Sequence, residues 1–122
     1  FGLLGHLYEL ANASQAKVRI RMGSVPLLPG AAETVANGIF SSLQPANLRL
    51  KRSVSNEAQA LTHPTYPLLF DPQTAGGLLA TVPEAEAEGC VDALHEAGYP
   101  TATVVGRILP QSNHLEPITL LG

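Results

Sequence analysis

Charge is scarce in this sequence. Asp, Glu, Lys and Arg make up 14% of its 122 residues, against roughly 25% in an ordinary soluble domain. With 45% hydrophobic content, so little charge predicts a surface partly covered by something else, a further domain or a dimer partner. Positive charge is scarcest: seven Lys and Arg stand against ten Asp and Glu, a formal net charge of −3. Arg49, Lys51 and Arg52 form a small basic cluster, but no extended phosphate-tracking surface, which argues against nucleic-acid binding as the main task. The single cysteine, Cys90, excludes an internal disulfide framework and a cysteine-ligated zinc site; it fits a reducing compartment such as the cytoplasm. No apolar run approaches membrane-spanning length, and no signal-peptide pattern is present. The chain opens at Phe1, inside a helix-like motif and without methionine, so a fragment of a longer protein is expected, one domain in size.

What is there alternates between helix and strand patterns. Leu3, Leu4, Leu7, Leu10 and Ala11 recur at helical spacing and predict an amphipathic helix over 3–13. Residues 17–22 alternate strictly, with Val18, Ile20 and Met22 on one side and Lys17, Arg19 and Arg21 on the other. That is a half-buried strand, its outer charges suited to a position near an edge. Pro29 predicts the first turn of a second helix, burying Ala32, Val35, Ala36 and Ile39 and stopped by Gly38. Residues 40–67 are ragged; Pro45 suits the start of a helix carrying Leu48, Leu50 and Val54, and the prolines of 62–67 exclude regular helix there. Residues 78–82 read as a buried strand. A helix follows from Pro83, with Glu84, Glu86 and Glu88 at its positive end, an apolar stripe of Ala87, Cys90, Val91 and Leu94, and Gly98 at its close. Residues 101–109 predict another strand with a bulge at Gly106, and 115–121 a last short one. Together these predict an α/β (α+β) domain, a mixed β-sheet flanked by helices.

The chain is organised around Leu68-Leu69-Phe70-Asp71-Pro72-Gln73-Thr74-Ala75-Gly76-Gly77-Leu78-Leu79-Ala80, an apolar run, a polar turn and a second apolar run. Asp71 and Pro72 favour the turn, and Gly76 and Gly77 allow conformations or approaches that a Cβ blocks. Such a turn can aim several N–H groups at a phosphate or carboxylate, or be only a tight turn before a buried strand. The histidines His6, His63, His95 and His114 are scattered, and no pair has i,i+4 ligand spacing; metal binding is not expected of them. Cys90 reads as a buried structural thiol, Asp71 as a turn cap. No Walker-type G-x-x-x-x-G-K-[ST] is present, and no residue here is assigned a catalytic role.

Three motifs in order carry a family resemblance over most of the chain. Asp71-Pro72-Gln73-Thr74-Ala75-Gly76-Gly77-Leu78-Leu79 closely resembles the DPQTSGGLL signature of selenophosphate synthetase (selenide, water dikinase). Phe1-Gly2-Leu3-Leu4-Gly5-His6 resembles the opening of that family's C-terminal domain, and Pro26-Leu27-Leu28-Pro29-Gly30-Ala31 its LP-x-LPGA stretch. The resemblance implies a mixed sheet with partial likeness to the ferredoxin-like fold, within the aminoimidazole ribonucleotide synthetase-like superfamily. It implies an enzyme making selenophosphate from ATP, selenide and water, releasing AMP and phosphate, with Mg2+ neutralising the triphosphate. Residues 1–122 would be its C-terminal domain, partnered by an N-terminal ATP-binding domain that holds most ATP and metal ligands, in a homodimer. As an isolated fragment it should be inactive. Gly2, Gly5, His6, Asn47, Asp71, Thr74, Gly76 and Gly77 are the candidate cofactor-binding residues lining the cleft between domains.

Where many members carry PGG followed by RN, Ser41-Ser42-Leu43-Gln44-Pro45-Ala46-Asn47 stands here: Asn47 is kept, the arginine and both glycines are not. Divergent domains of this kind also occur fused to a pyridine-nucleotide oxidoreductase-like module. Two further readings follow. One is another ATP-dependent enzyme of the superfamily, against which Gln73-Thr74 speaks, since the hydrogenase-maturation relatives resemble DPTRGG there. The other is a non-catalytic ligand-binding or dimerisation domain in a fusion protein.

Overall fold

The computed structural model describes residues 1–111 and 115–122; His114 lies outside the described residues. The first helix, α1 (Gly2–Ala13), follows the predicted periodicity: Leu4, Leu7 and Ala11 share a buried face. The strand β1 (Ala16–Arg21) leaves a tight turn at Gln15, the one non-glycine residue described with positive φ. Val18, Ile20 and Met22 are buried as the alternation requires, with Met22 in a short 3-10 turn just past the strand.

β1 is central, not near an edge. It pairs antiparallel with β2 (Gly106–Pro110) and parallel with β3 (Ile118–Leu121), giving a three-stranded mixed sheet in the order β2-β1-β3. The α+β class and mixed sheet are therefore as predicted. Gly106 opens β2 and makes no bulge; a Cβ there would run into the carbonyl oxygen of Arg19, so glycine permits the close pairing. One sheet face carries Val18, Ile20, Ile118 and Leu120 against Leu4 and Leu7 of α1. Each such fully buried aliphatic side chain contributes on the order of 2 kcal/mol.

Between β1 and β2 lie short elements: α2 (Ala31–Ala36), α3 (Gln44–Asn47) running into a 3-10 turn (Leu48–Ser53), α4 (Glu57–Ala60) and a 3-10 segment Tyr66–Phe70. They add Leu50, Val54, Ala60, Tyr66, Leu69 and Phe70 to the core, the last two aromatics meeting edge to face at 5.1 Å. The outer edge of β3 is closed by residues 54–56. Ser55 N–H donates to Ile118 O (2.8 Å), and the Asn56 side chain both donates to Leu120 O (2.6 Å) and accepts from Leu120 N–H (3.0 Å), imitating a neighbouring strand's peptide.

Several expectations are corrected. α2 begins two residues after Pro29, behind Gly30 at φ 84°, and buries nothing: Ala32 and Ala36 are exposed, Val35 is half-buried and Ile39 is 61% exposed. Gly38 does end it, the Gly38 and Ile39 N–H groups donating to Val35 and Thr34 carbonyls. Residues 78–82 form no strand; the Leu78 side chain is fully exposed and only Leu79 leans on the core. The helix after Pro83 starts as a 3-10 turn (Glu84–Glu86) and continues as α5 (Ala87–Glu96). Its stripe is not buried: Ala87, Cys90 and Val91 are half-buried and Leu94 is exposed. The strand expected over 101–109 begins only at Gly106. Each error has the same cause, since an apolar pattern specifies a face and leaves open what covers it.

Tyr66 is buried and donates to Glu57 Oε1 at 3.3 Å. Burial first, then the negative charge of Glu57 and this hydrogen bond, push its pKa from 10.0 up to about 12. The folded state thus holds the phenolic proton more tightly than the unfolded chain. The resulting stabilisation is complete below the unfolded value and is lost as pH rises toward about 12, on the order of 2 kcal/mol in all. Urea unfolding between about pH 9 and about pH 12 should therefore show a steeper stability loss for wild type than for Tyr66→Phe. A second expectation concerns the β3 edge. Asn56→Leu strands both polar groups of Leu120 and should cost about 1–3 kcal/mol, with faster amide exchange at Leu120.

Candidate functional site

The N-terminus of α1 and the 3-10 segment before the Asp71 turn meet backbone to backbone. Gly2 makes this possible. It sits at φ 70°, and a Cβ on it would lie 2.7 Å from Leu69 O and 2.8 Å from Phe70 C. No other residue fits that conformation and that gap together. Gly5, one turn on and buried, faces Phe1 and Leu50; a Cβ there would strike the Phe1 side chain and come 3.1 Å from Leu50 Cδ1.

A second set of contacts fixes the same carbonyl row. Asn47, 6% exposed, donates its Nδ2–H to Phe70 O at 3.0 Å, and Gln44, 5% exposed, donates Nε2–H to Pro67 O at 2.8 Å. The two amides stand i,i+3 on α3 and therefore on one face. They hold the segment that delivers Asp71 while Gly2 seats the helix beside it. Gln44 was not among the sequence candidates. Its spacing from Asn47 was visible, but its partner, the Pro67 carbonyl, lies 23 residues away.

Beyond Phe70 the turn opens outward. Asp71 is half-buried, its N–H donating to Leu68 O at 3.2 Å; Thr74, Gly76 and Gly77 are exposed. Neither Gly76 nor Gly77 has the left-handed φ that favours glycine. A Cβ on Gly76 meets only the movable Gln73 side chain, 2.7 Å from its Oε1, and one on Gly77 meets nothing within 4 Å. The fold of this chain itself does not demand glycine at these two positions. His6 is exposed, with Nδ1 3.6 Å from Glu9 Oε2 and its ring edge-on to Phe1. Gly2, Asn47 and Asp71 are thus gathered about Phe70 and Gly5 faces Phe1 and Leu50, whereas Thr74, Gly76 and Gly77 lie on the exposed loop and His6 is exposed on α1.

The gathered residues offer backbone rather than side-chain chemistry. The backbone N–H groups and dipole of a helix favour an anion at its start, and Gly2 opens α1. Among the described residues no three His, Cys, Asp or Glu cluster closely enough to hold a metal ion. The other histidines are engaged locally: His63 Nδ1 accepts from Thr65 N–H (3.2 Å), and His95 Nε2 lies 2.8 Å from Ala102 O.

Comparison with known proteins finds relatives along most of the chain. Proteins named selenide, water dikinase are similar along nearly all of this chain. That of Photobacterium profundum is 37% identical over 111 residues, 90% of this chain and 31% of the relative. That of Pseudomonas straminea is 35% identical over 108 residues, 88% and 30% respectively. That of Pelobacter propionicus is 38% identical over 111 residues, 91% and 32%. The chain spans about a third of the length of these relatives. Residues 1–115 match the family described as AIR synthase related protein, C-terminal domain. With that match covering nearly the whole chain, the chain belongs to that C-terminal domain family.

Proposed function

We propose that this chain is the C-terminal domain of a selenide, water dikinase. The whole enzyme makes selenophosphate from ATP, selenide and water and releases AMP and phosphate. The observation that carries the reading is similarity to relatives of that name along about nine-tenths of the chain. The domain supplies one wall of the phosphotransfer cleft: α1 brings its positive end and the turn brings glycine backbone, both suited to phosphate. Mg2+ when bound neutralises the triphosphate. The single carboxylate of Asp71 fits an auxiliary role toward such a site and not a complete ligand set, so the N-terminal ATP-binding domain holds the metal and most of the nucleotide. The roles within this chain belong to the same proposal. Gly2 and Asn47 position the turn, Gly5 keeps the helix mouth narrow, and Thr74, Gly76 and Gly77 face what lies across the cleft. The full-length protein is a cytoplasmic homodimer in this reading.

Phosphorus NMR on the full-length protein with ATP, magnesium and selenide tests it. A selenophosphate signal with matching AMP is expected, and residues 1–122 alone should leave ATP unconsumed. ATP left intact by the folded full-length protein would overturn the reading in favour of a non-catalytic binding domain. Gly77→Val separates folding from function. In residues 1–122 it should shift stability by no more than about 0.5 kcal/mol, the usual range for exposed substitutions. In the full-length enzyme it should lower kcat/KM at least about tenfold, through blocked approach to phosphate.

A further inference from the structure

The residues gathered about Phe70 bring no cation; their one charged side chain is the carboxylate of Asp71. A wall that receives a triphosphate needs positive charge close by, and this chain has seven Lys and Arg to supply it. Four of them are turned away. Val18 and Ile20 lie on the sheet face that packs with Leu4 and Leu7, so Lys17, Arg19 and Arg21 project from the opposite face. Arg107 stands opposite Arg19 in register, shares that face, and is bridged to Glu84 at 2.7 Å.

The remaining three lie together. Residues 34–56 contain no Asp or Glu but hold Arg49, Lys51 and Arg52. Across α3 and the 3-10 turn that follows it, every third residue is buried: Gln44, Asn47, Leu50 and Ser53. Side chains three apart eclipse one another in a 3-10 helix. The exposed residues therefore fall into two further columns, Pro45-Leu48-Lys51 and Ala46-Arg49-Arg52. Lys51 reaches Glu57 at 3.9 Å. Among the described residues Arg49 and Arg52 have no carboxylate within 4.0 Å.

The buried row fixes where these two arginines stand. Asn47 is bonded to Phe70 O at 3.0 Å, and Leu50 packs at Gly5, where a Cβ would come 3.1 Å from Leu50 Cδ1. Arg49 lies between those two anchors in the chain. Its backbone is thus held within one turn of both the carbonyl that leads into Asp71 and the mouth of α1. Arg52 follows one turn later, about 6 Å along the axis. A guanidinium presents two parallel N–H donors to a phosphate, a geometry that an ammonium lacks.

We propose, resting on the phosphotransfer reading above, that Arg49, with Arg52 beside it, binds the triphosphate of ATP at the cleft wall. The pair supplies the charge that the Phe70 cluster lacks and offsets the carboxylate of Asp71. Its position comes from Asn47 and Leu50, and its availability from the absence of any acidic neighbour.

Isothermal titration of the full-length protein with magnesium ATP, alongside steady-state kinetics, tests it; circular dichroism checks that each variant folds. Arg49→Ala should weaken ATP binding and raise the KM for ATP at least about tenfold, the loss of a charged hydrogen-bonding partner. kcat should change less than KM. Arg49→Lys should recover only part of the affinity, and Arg52→Ala should have a smaller effect than Arg49→Ala. Ala46→Arg in the Arg49→Ala background returns a guanidinium to the same column one turn earlier and should restore most of the affinity. Arg19→Ala, on the outer face of the sheet, should leave affinity unchanged. Selenophosphate formation, followed in parallel, separates this assignment from the reaction itself. A wild type that binds ATP but makes no selenophosphate overturns the reaction, and Arg49 is then judged on ATP affinity alone. The proposal is overturned by wild-type affinity and KM in Arg49→Ala, by an equal loss in Arg19→Ala, by a loss that Ala46→Arg leaves untouched, or by a wild type that binds no ATP.

Discussion

Everything near the candidate site depends on the contact between Gly2 and the Leu69–Phe70 backbone. α1 has two obligations: its Leu4, Leu7 and Ala11 face must lie on the sheet, and its first turn must reach Phe70. Those obligations are compatible only if nothing intervenes at Gly2, where a side chain would collide with peptide atoms that cannot move aside. Asn47 then holds the Phe70 carbonyl by a hydrogen bond. The helix mouth, the amide and the turn are thus one assembly, built from segments far apart in sequence.

Local pattern revealed much of the scaffold. The spacing of Leu4, Leu7 and Ala11 gave α1, and the alternation from Lys17 to Met22 gave β1 with the right residues inside. Such patterns record which side of an element is apolar, a property that each element carries alone. Covering that side is a pairwise event, and here the reading failed. Residues 78–82 and the stripe of α5 have the composition of buried elements, yet they remain largely uncovered. The site was legible in its motifs and illegible in its division of labour. Gly2 and Gly76 look alike in sequence, but only Gly2 combines a left-handed φ with an immovable neighbour. The engagement of Gln44 with Pro67 is likewise a long-range fact with no local signature.

The distribution of polar contacts separates two parts of the molecule. Around the Phe70 carbonyl row, buried amides are satisfied by backbone oxygens, and no buried side-chain polar atom among the described residues lacks a partner. That region is specified by hydrogen bonds of fixed geometry. From residue 71 to 105 charge and apolar surface stay in the open, with Schellman-type closure at Gly98 and the His95–Ala102 contact holding α5 together internally. A small domain can keep such a segment ordered by local closure while leaving its outer surfaces free for association.

The parallel pairing of β1 with β3 bears on how the chain reaches this state. Val18 meets Ile118, about a hundred residues later in sequence. Contacts of such separation require a large loop to close before they contribute, which slows folding. During synthesis the amphipathic β1 leaves the ribosome well before both of its sheet neighbours, β2 and β3. At ribosomal speeds of about 5–20 residues per second, β1 spends several seconds with both of its edges unpaired. The positive charges of Lys17, Arg19 and Arg21 help keep that waiting strand from premature association with other nascent chains.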